Sequence, residues 1–164
     1  MLGLSLFGNH KVSDEDWQKT TKIVYAHSDG TIVPELFRSY TITVTATEVV
    51  VEICDYDKRL LAKCYSNSAK NFKAVISQLQ QMGVAKGKEK DFPTGGSSES
   101  LSLYKGDQNY FSAYDSYGSG TLRLSRGSLE AVMKKLVPSI DDMVERTRAA
   151  ERQNRLSSDA ETEN

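Results

Sequence analysis

His27-Ser28-Asp29 holds, in three consecutive positions, the side-chain types of a hydrolytic relay. Nucleophile, base and orienter must converge in space, whereas neighbours on an extended chain point to opposite sides, so the three cannot form a relay as they stand. Ser28-Asp29-Gly30 carries the residue types of a turn, and a strand running into a turn accounts for the segment without catalysis. A second arrangement gathers His27 with Asp29 and with Glu35 beyond the turn, a constellation that would suit a small-molecule binder or an enzyme.

The two cysteines, Cys54 and Cys64, invite a redox or metal reading. With a hairpin turning at Asp57-Lys58, Cys64 falls opposite Val51 on the inward face and Cys54 on the other face, which precludes a disulfide in that register; a three-residue loop changes the parity. Only His10 and His27 could join them as soft ligands, without zinc-type spacing, so no metal site and no cofactor are expected. Thr94-Gly95-Gly96-Ser97-Ser98 offers backbone N–H groups to an anion, but a strand follows it where a phosphate loop needs a helix. The acidic pairs Asp14/Asp16, Asp55/Asp57 and Asp141/Asp142 fall in a helix start, a hairpin turn and a helix first turn, and none has the EF-hand spacing. Tyr104, Tyr110, Tyr114 and Tyr117 cluster in one stretch. Tyr110 and Tyr114 share a strand parity opposite to Phe111 and Ala113, which places them on the face away from the helices, where tyrosines suit a protein interface; packing of good strand formers across a sheet is the alternative.

The elements that must position these residues follow from periodicity. Ser13 caps a short helix with three acids in its first turn, flanked by the staple pair Val12 and Trp17. A strand begins at Ile23-Val24-Tyr25. In the next, Tyr40, Ile42 and Val44 alternate with Thr41, Thr43 and Thr45, the pattern of a half-buried antiparallel strand. Val49, Val51 and Ile53 face inward in a third, and Leu60 to Tyr65 returns as a fourth. Asn67 or Ser68 caps a helix with Phe72, Val75, Ile76, Leu79 and Met82 at helical spacing, stopped by Gly83. Ala85 to Ser98, with four Gly or Pro residues, reads as a long loop. Strands follow at Leu101–Leu103, Tyr110–Tyr114 and Leu122–Leu124. A last helix opens near Ser128, is interrupted at Pro138 and resumes through Ile140, Met143 and Val144. The fold class is therefore α+β: an antiparallel sheet of roughly seven strands in two meanders, with amphipathic helices packed on one face. Residues 1–156 form a single domain and residues 157–164 a polar, disordered tail.

Composition narrows the function classes. With 21 basic and 22 acidic residues the chain lacks the basic excess of a nucleic-acid binder, and Glu89 and Asp91 dilute its densest basic run, Lys86-Gly87-Lys88-Glu89-Lys90. No stretch of about 18 apolar residues exists to span a membrane. The apolar Met1–Gly8 lacks the basic flank and cleavage motif of a signal peptide, so the expected location is cytoplasmic.

Two stretches carry a resemblance. His27-Ser28-Asp29-Gly30-Thr31, continuing through Pro34 to Arg38-Ser39-Tyr40-Thr41-Ile42-Thr43-Val44-Thr45, is one; Thr94-Gly95-Gly96-Ser97-Ser98-Glu99-Ser100-Leu101-Ser102-Leu103-Tyr104 with Phe111-Ser112 is the other. Over residues 20–145 the chain resembles a group of uncharacterised bacterial proteins of similar length. The resemblance implies a bacterial source and a compact domain, and it assigns no functional residue. The leading expectation is a non-catalytic module that binds another protein, in the manner of an immunity protein or inhibitor, through Tyr104, Tyr110, Tyr114 and Tyr117. Its rival is the His27/Asp29/Glu35 site. A pocket gathering His27 with a carboxylate favours the rival, and a flat tyrosine-bearing face without one favours the module.

Overall fold

The computed structural model describes residues 9–30, 33–89, 96–116 and 119–162. Met1–Gly8, Tyr117 and the Thr94-Gly95 half of the glycine-rich loop lie outside the described residues. In chain order the elements are β1 (His10–Lys11), α1 (Asp14–Lys19), β2 (Lys22–Ser28), β3 (Ser39–Val44), β4 (Glu48–Cys54), β5 (Arg59–Ser66), α2 (Ala69–Gln81), β6 (Ala85–Lys86), β7 (Ser98–Lys105), β8 (Gln108–Ser116), β9 (Ser119–Gly120), β10 (Leu122–Arg123), α3 (Leu129–Lys134) and α4 (Ile140–Thr162). The main sheet has seven antiparallel strands in the order β5-β4-β3-β2-β7-β8-β9, and a small sheet pairs β1 and β10 with β6. This is the expected α+β architecture. No helix among the described residues is long and apolar enough to cross a membrane.

The helix caps fall where the sequence puts them. The Ser13, Ser68 and Ser128 hydroxyls accept from the third helical N–H of α1, α2 and α3, satisfying donors with no partner inside the helix. Gly83 stops α2 at φ +67°. Alternation puts one face of the sheet in the core as cross-strand rows. Val49, Val44, Ile23, Leu103 and Phe111 make the first row, and Val51, Ile42, Tyr25, Leu101 and Ala113 the second. Trp17, Phe72, Val75, Leu79, Leu129, Met133, Ile140 and Met143 bring the helices onto that same face.

Five expectations are corrected. The stretch Ala85–Ser98 opens with strand β6, and Leu122 pairs with Lys86 in the small sheet, leaving Ser119–Gly120 as the third strand of the second meander. Residues 157–162, read as a disordered tail, continue α4 as exposed helix.

Two β-bulges account for the other corrections. The first hairpin turns one residue earlier than supposed, with Cys54 opposite Arg59, and Leu60 is then an extra residue, so that Ile53 faces Leu61. Cys64 consequently pairs with Val50 on the face away from the helices and is exposed, where its thiol donates to Glu48 Oε2 at 3.2 Å. It is not a core residue. Cys54 lies on that face too, four positions along β4 from Val50, or about 13 Å at strand spacing, too far for a disulfide.

In the second hairpin Tyr110 is the extra residue between Phe111, which faces Leu103, and Asn109, which faces Tyr104. Its ring turns to the helix side. The Tyr110 hydroxyl meets Thr20 Oγ1 at 2.5 Å and Lys105 Nζ stands 4.5 Å from the ring centre, so Tyr110 fastens α1 and does not line the open face. A bulge places two successive side chains on one side, a displacement that alternation alone does not reveal.

Candidate functional site

The third row on the helix-covered face runs Ile53, Tyr40, His27, Glu99, Asp115, one residue from each of β4, β3, β2, β7 and β8. Each is two positions beyond a buried member of the second row and shares its inward phase, yet from Tyr40 onward the side chains carry polar groups. The start of α3 closes over the row with Ser128 and Glu130. Between them lies a cleft of about 180 Å³ lined by His27, Ser97, Ser98, Glu99, Asp115, Ser128 and Glu130. A second cavity, of about 270 Å³, meets the first at His27 and Glu130 and extends toward Asp29, Tyr40, Lys134 and Arg148.

The row is held by its neighbours. The His27 imidazole stacks on Tyr40, with ring centres 5.0 Å apart and planes 21° apart. The Tyr25 hydroxyl donates to Glu99 Oε2 at 2.8 Å and that of Tyr40 to Glu130 Oε1 at 3.4 Å. Lys134 Nζ bridges Glu130 and Asp141, both at 2.9 Å. Burial pushes the Glu99 carboxyl above its ordinary value, reinforced by the charges of Glu130 and Asp115 and only partly offset by the Tyr25 hydrogen bond. Burial and then nearby carboxylates raise the Tyr25 and Tyr40 phenols, which stay protonated as donors.

That shift carries a prediction. Glu99 binds its proton more tightly in the folded chain, so its contribution to stability is fully present below the ordinary carboxyl value of 4.5 and is lost as pH rises through the raised one. Glu99→Gln keeps an acceptor for Tyr25 and removes the half-buried charge. It is therefore expected to melt higher than wild type at pH 7, with the difference vanishing at pH 4. A variant that melts lower at pH 7, or by the same margin at both pH values, contradicts this account.

The sequence-derived site is only partly assembled. His27 and Asp29 line one cavity, but Asp29 Oδ2 is engaged by the Arg38 backbone N–H at 2.9 Å and by Arg148 Nη2 at 2.7 Å, and it closes the β2–β3 connection. Glu35 does not line either cavity; it pairs with Arg155 at 3.0 Å. Ser28 points to the opposite side of the sheet from His27, which leaves no relay. Of the tyrosines, Tyr104 and Tyr114 occupy the open face. Lys22 Nζ stands 4.1 Å from the Tyr104 ring centre, and the Tyr114 hydroxyl donates to Glu89.

The acidic pairs are structural. Asp14 and Asp16 bind Gln80 and Lys105, Asp55 accepts from the Asp57 and Lys58 backbone N–H groups, and Asp141 pairs with Lys134. No cluster of three His, Cys, Asp or Glu side chains suited to a metal exists among the described residues. Glu99, Asp115 and Glu130 were not singled out by sequence. For the first two the signal was present: each sits in phase with inward Leu101 or Ala113 at a position where an apolar residue is the rule.

With imidazole, carboxyl, phenol and hydroxyl groups around one opening, the cleft can donate and accept hydrogen bonds in several directions and can exchange protons. No family model matches the chain, and no curated protein or solved structure is significantly similar to it.

Proposed function

We propose that the protein acts by binding a small polar ligand in the cleft at His27, with Glu99, Asp115, Glu130 and Ser128 as its recognition groups. The observation that carries this reading is the third row: four adjacent strands, β3, β2, β7 and β8, turn polar side chains inward beside an opening, at positions where a purely structural sheet would continue its apolar core. Convergent polar groups, a half-buried carboxyl and a stacked imidazole are features of ligand sites.

A ligand-observed NMR screen of polar metabolites tests it. At about 100 times its Kd, a true ligand stabilises the fold by about 2.7 kcal/mol, enough to appear in a melting curve. Binding compounds are expected to shift resonances of His27, Glu99 and Ser128, and His27→Ala is expected to weaken them at least tenfold. Binding that persists in His27→Ala, or shifts confined to other surfaces, rejects the cleft.

The second reading is the non-catalytic protein-binding module. Its support is the sheet face that no helix covers among the described residues, with Tyr104 and Tyr114 on it and Val24, Thr41, Thr43 and Ser102 between the edge strands. A partner lost on Tyr114→Ala but kept by His27→Ala would favour it. Tyr110→Ala is no test of that face, because it releases α1.

A further inference from the structure

The extra residue in β5 has a second consequence. Leu60 and Leu61, successive in sequence, both line a groove between the β4–β5 hairpin and α4. The groove has a volume of about 470 Å³, within the range of small-molecule sites. Leu60, Leu61 and Ala150 give it an apolar floor, and Arg38 lines both it and the second His27 cavity.

The charges around the groove are unequally satisfied. Arg38 is 1 % exposed and its guanidinium is saturated by four backbone and side-chain oxygens and the Glu151 carboxylate. Glu151 is held by Arg38 at 2.7 Å and lies 3.7 Å from Arg155. Asp55 is committed to its turn. Lys58 and Arg146, also lining the groove, make no side-chain hydrogen bond or ion pair among the described residues. Its acids are therefore engaged and two of its cations are not.

We propose that this groove binds a small amphiphilic anion, with a carboxylate or phosphate group between Lys58 and Arg146 and an aliphatic body over Leu60, Leu61 and Ala150. The site is separate from the polar recognition groups at His27 and does not depend on their function. A bulge that re-aims a side chain is a recurrent device beside binding sites, and here it adds Leu60 to the apolar floor. The exposed cations select the headgroup, while the body supplies most of the affinity, since each fully buried methylene is worth about fourfold.

Octanoate and octyl phosphate, titrated separately into the full chain by NMR, test the proposal and show which headgroup is preferred. The expected result is saturable binding with shifts at Leu60, Leu61 and Ala150, and butanoate weaker by at least tenfold. Lys58→Glu/Arg146→Glu, altering two exposed side chains and leaving the core intact, is expected to weaken octanoate at least tenfold while the melting temperature holds. Absence of saturable binding by either probe overturns the proposal. So does equal affinity for octan-1-ol, or undiminished octanoate binding by the double variant.

Discussion

Replacing Arg38 with alanine is expected to destabilise the fold by about 3 kcal/mol, the cost of breaking a buried ionic network, and to lower Tm by about 6–12 °C for a chain of this size. The guanidinium gathers Nε–Thr147 Oγ1 at 2.9 Å, Nη1–Phe37 O at 2.7 Å, Nη1–Glu35 O at 3.3 Å, Nη2–Thr147 O at 3.1 Å and Nη2–Glu151 Oε2 at 2.7 Å. It ties the segment entering β3 to the third and fourth turns of α4, at Thr147 and Glu151. Without it, the oxygens it serves lose their donors in a place water reaches poorly, and the unmet acceptors cost more than the made bonds contributed. Lysine cannot replace the fork of donors, so Arg38→Lys should recover only a small part of the loss. Arg155→Ala is the control. Arg155 stands on the same helix, α4, its side chain is 54 % exposed and it pairs with Glu35 of the β2–β3 connection, so its loss should stay within about 0.5 kcal/mol. Urea unfolding of the three variants decides the matter, and equal losses for Arg38→Ala and Arg155→Ala would contradict the clasp.

Gly30→Ala should be nearly as damaging, for a steric reason. A Cβ on Gly30 would stand 2.3 Å from Gly96 Cα and 2.5 Å from its carbonyl carbon, contacts that only backbone displacement can relieve. Forcing a methyl into such a contact costs about 1–3 kcal/mol. The displacement also reaches the cleft, because Ser97, Ser98 and Glu99 follow Gly96 directly and His27 precedes Gly30 by three residues. The variant should therefore lose stability and disturb the resonances of His27 and Glu99 together. Gly106→Ala separates sterics from backbone preference: its Cβ meets nothing within 4 Å, while φ is +58°. Conformational strain alone, about 1 kcal/mol, is its expected cost, with no change at His27. Should Gly30→Ala melt like wild type, the close approach of the two glycines is not a constraint on the fold.

These two variants act on the segments that flank the His27 row, and both depend on contacts between residues far apart in sequence. Asp29 with Arg148 and Arg38 with Thr147 join residues more than a hundred positions apart. Glu99→Gln, by contrast, tests whether the row sacrifices stability to keep a carboxylate beside an opening, as functional groups often do.

The amino-acid sequence by itself determined the elements and the buried face. Ser13, Ser68 and Ser128 cap their helices through local geometry, and the alternation of Tyr40, Ile42 and Val44 with threonines needs no distant partner to be read. Leu101 and Leu103, Val49 and Val51 were legible for the same reason, since a period of two fixes which side chains share a face. The tertiary structure decided register. A single extra residue at Leu60 moved Cys64 out of the core, and another at Tyr110 turned a supposed interface residue against α1. Such shifts depend on turn geometry and on packing against neighbouring strands and helices, so the spacing within one strand carries no trace of them. The site was divided in the same way. His27 was visible as a reactive side chain and Glu99 as an inward acid, but only pairing β2 with β7 and β7 with β8 set His27, Glu99 and Asp115 side by side. The fold of α3 then brought Glu130 over them. Cross-strand adjacency of residues 72 and 88 positions from His27 arises from the order of strands in the sheet, which local sequence does not encode.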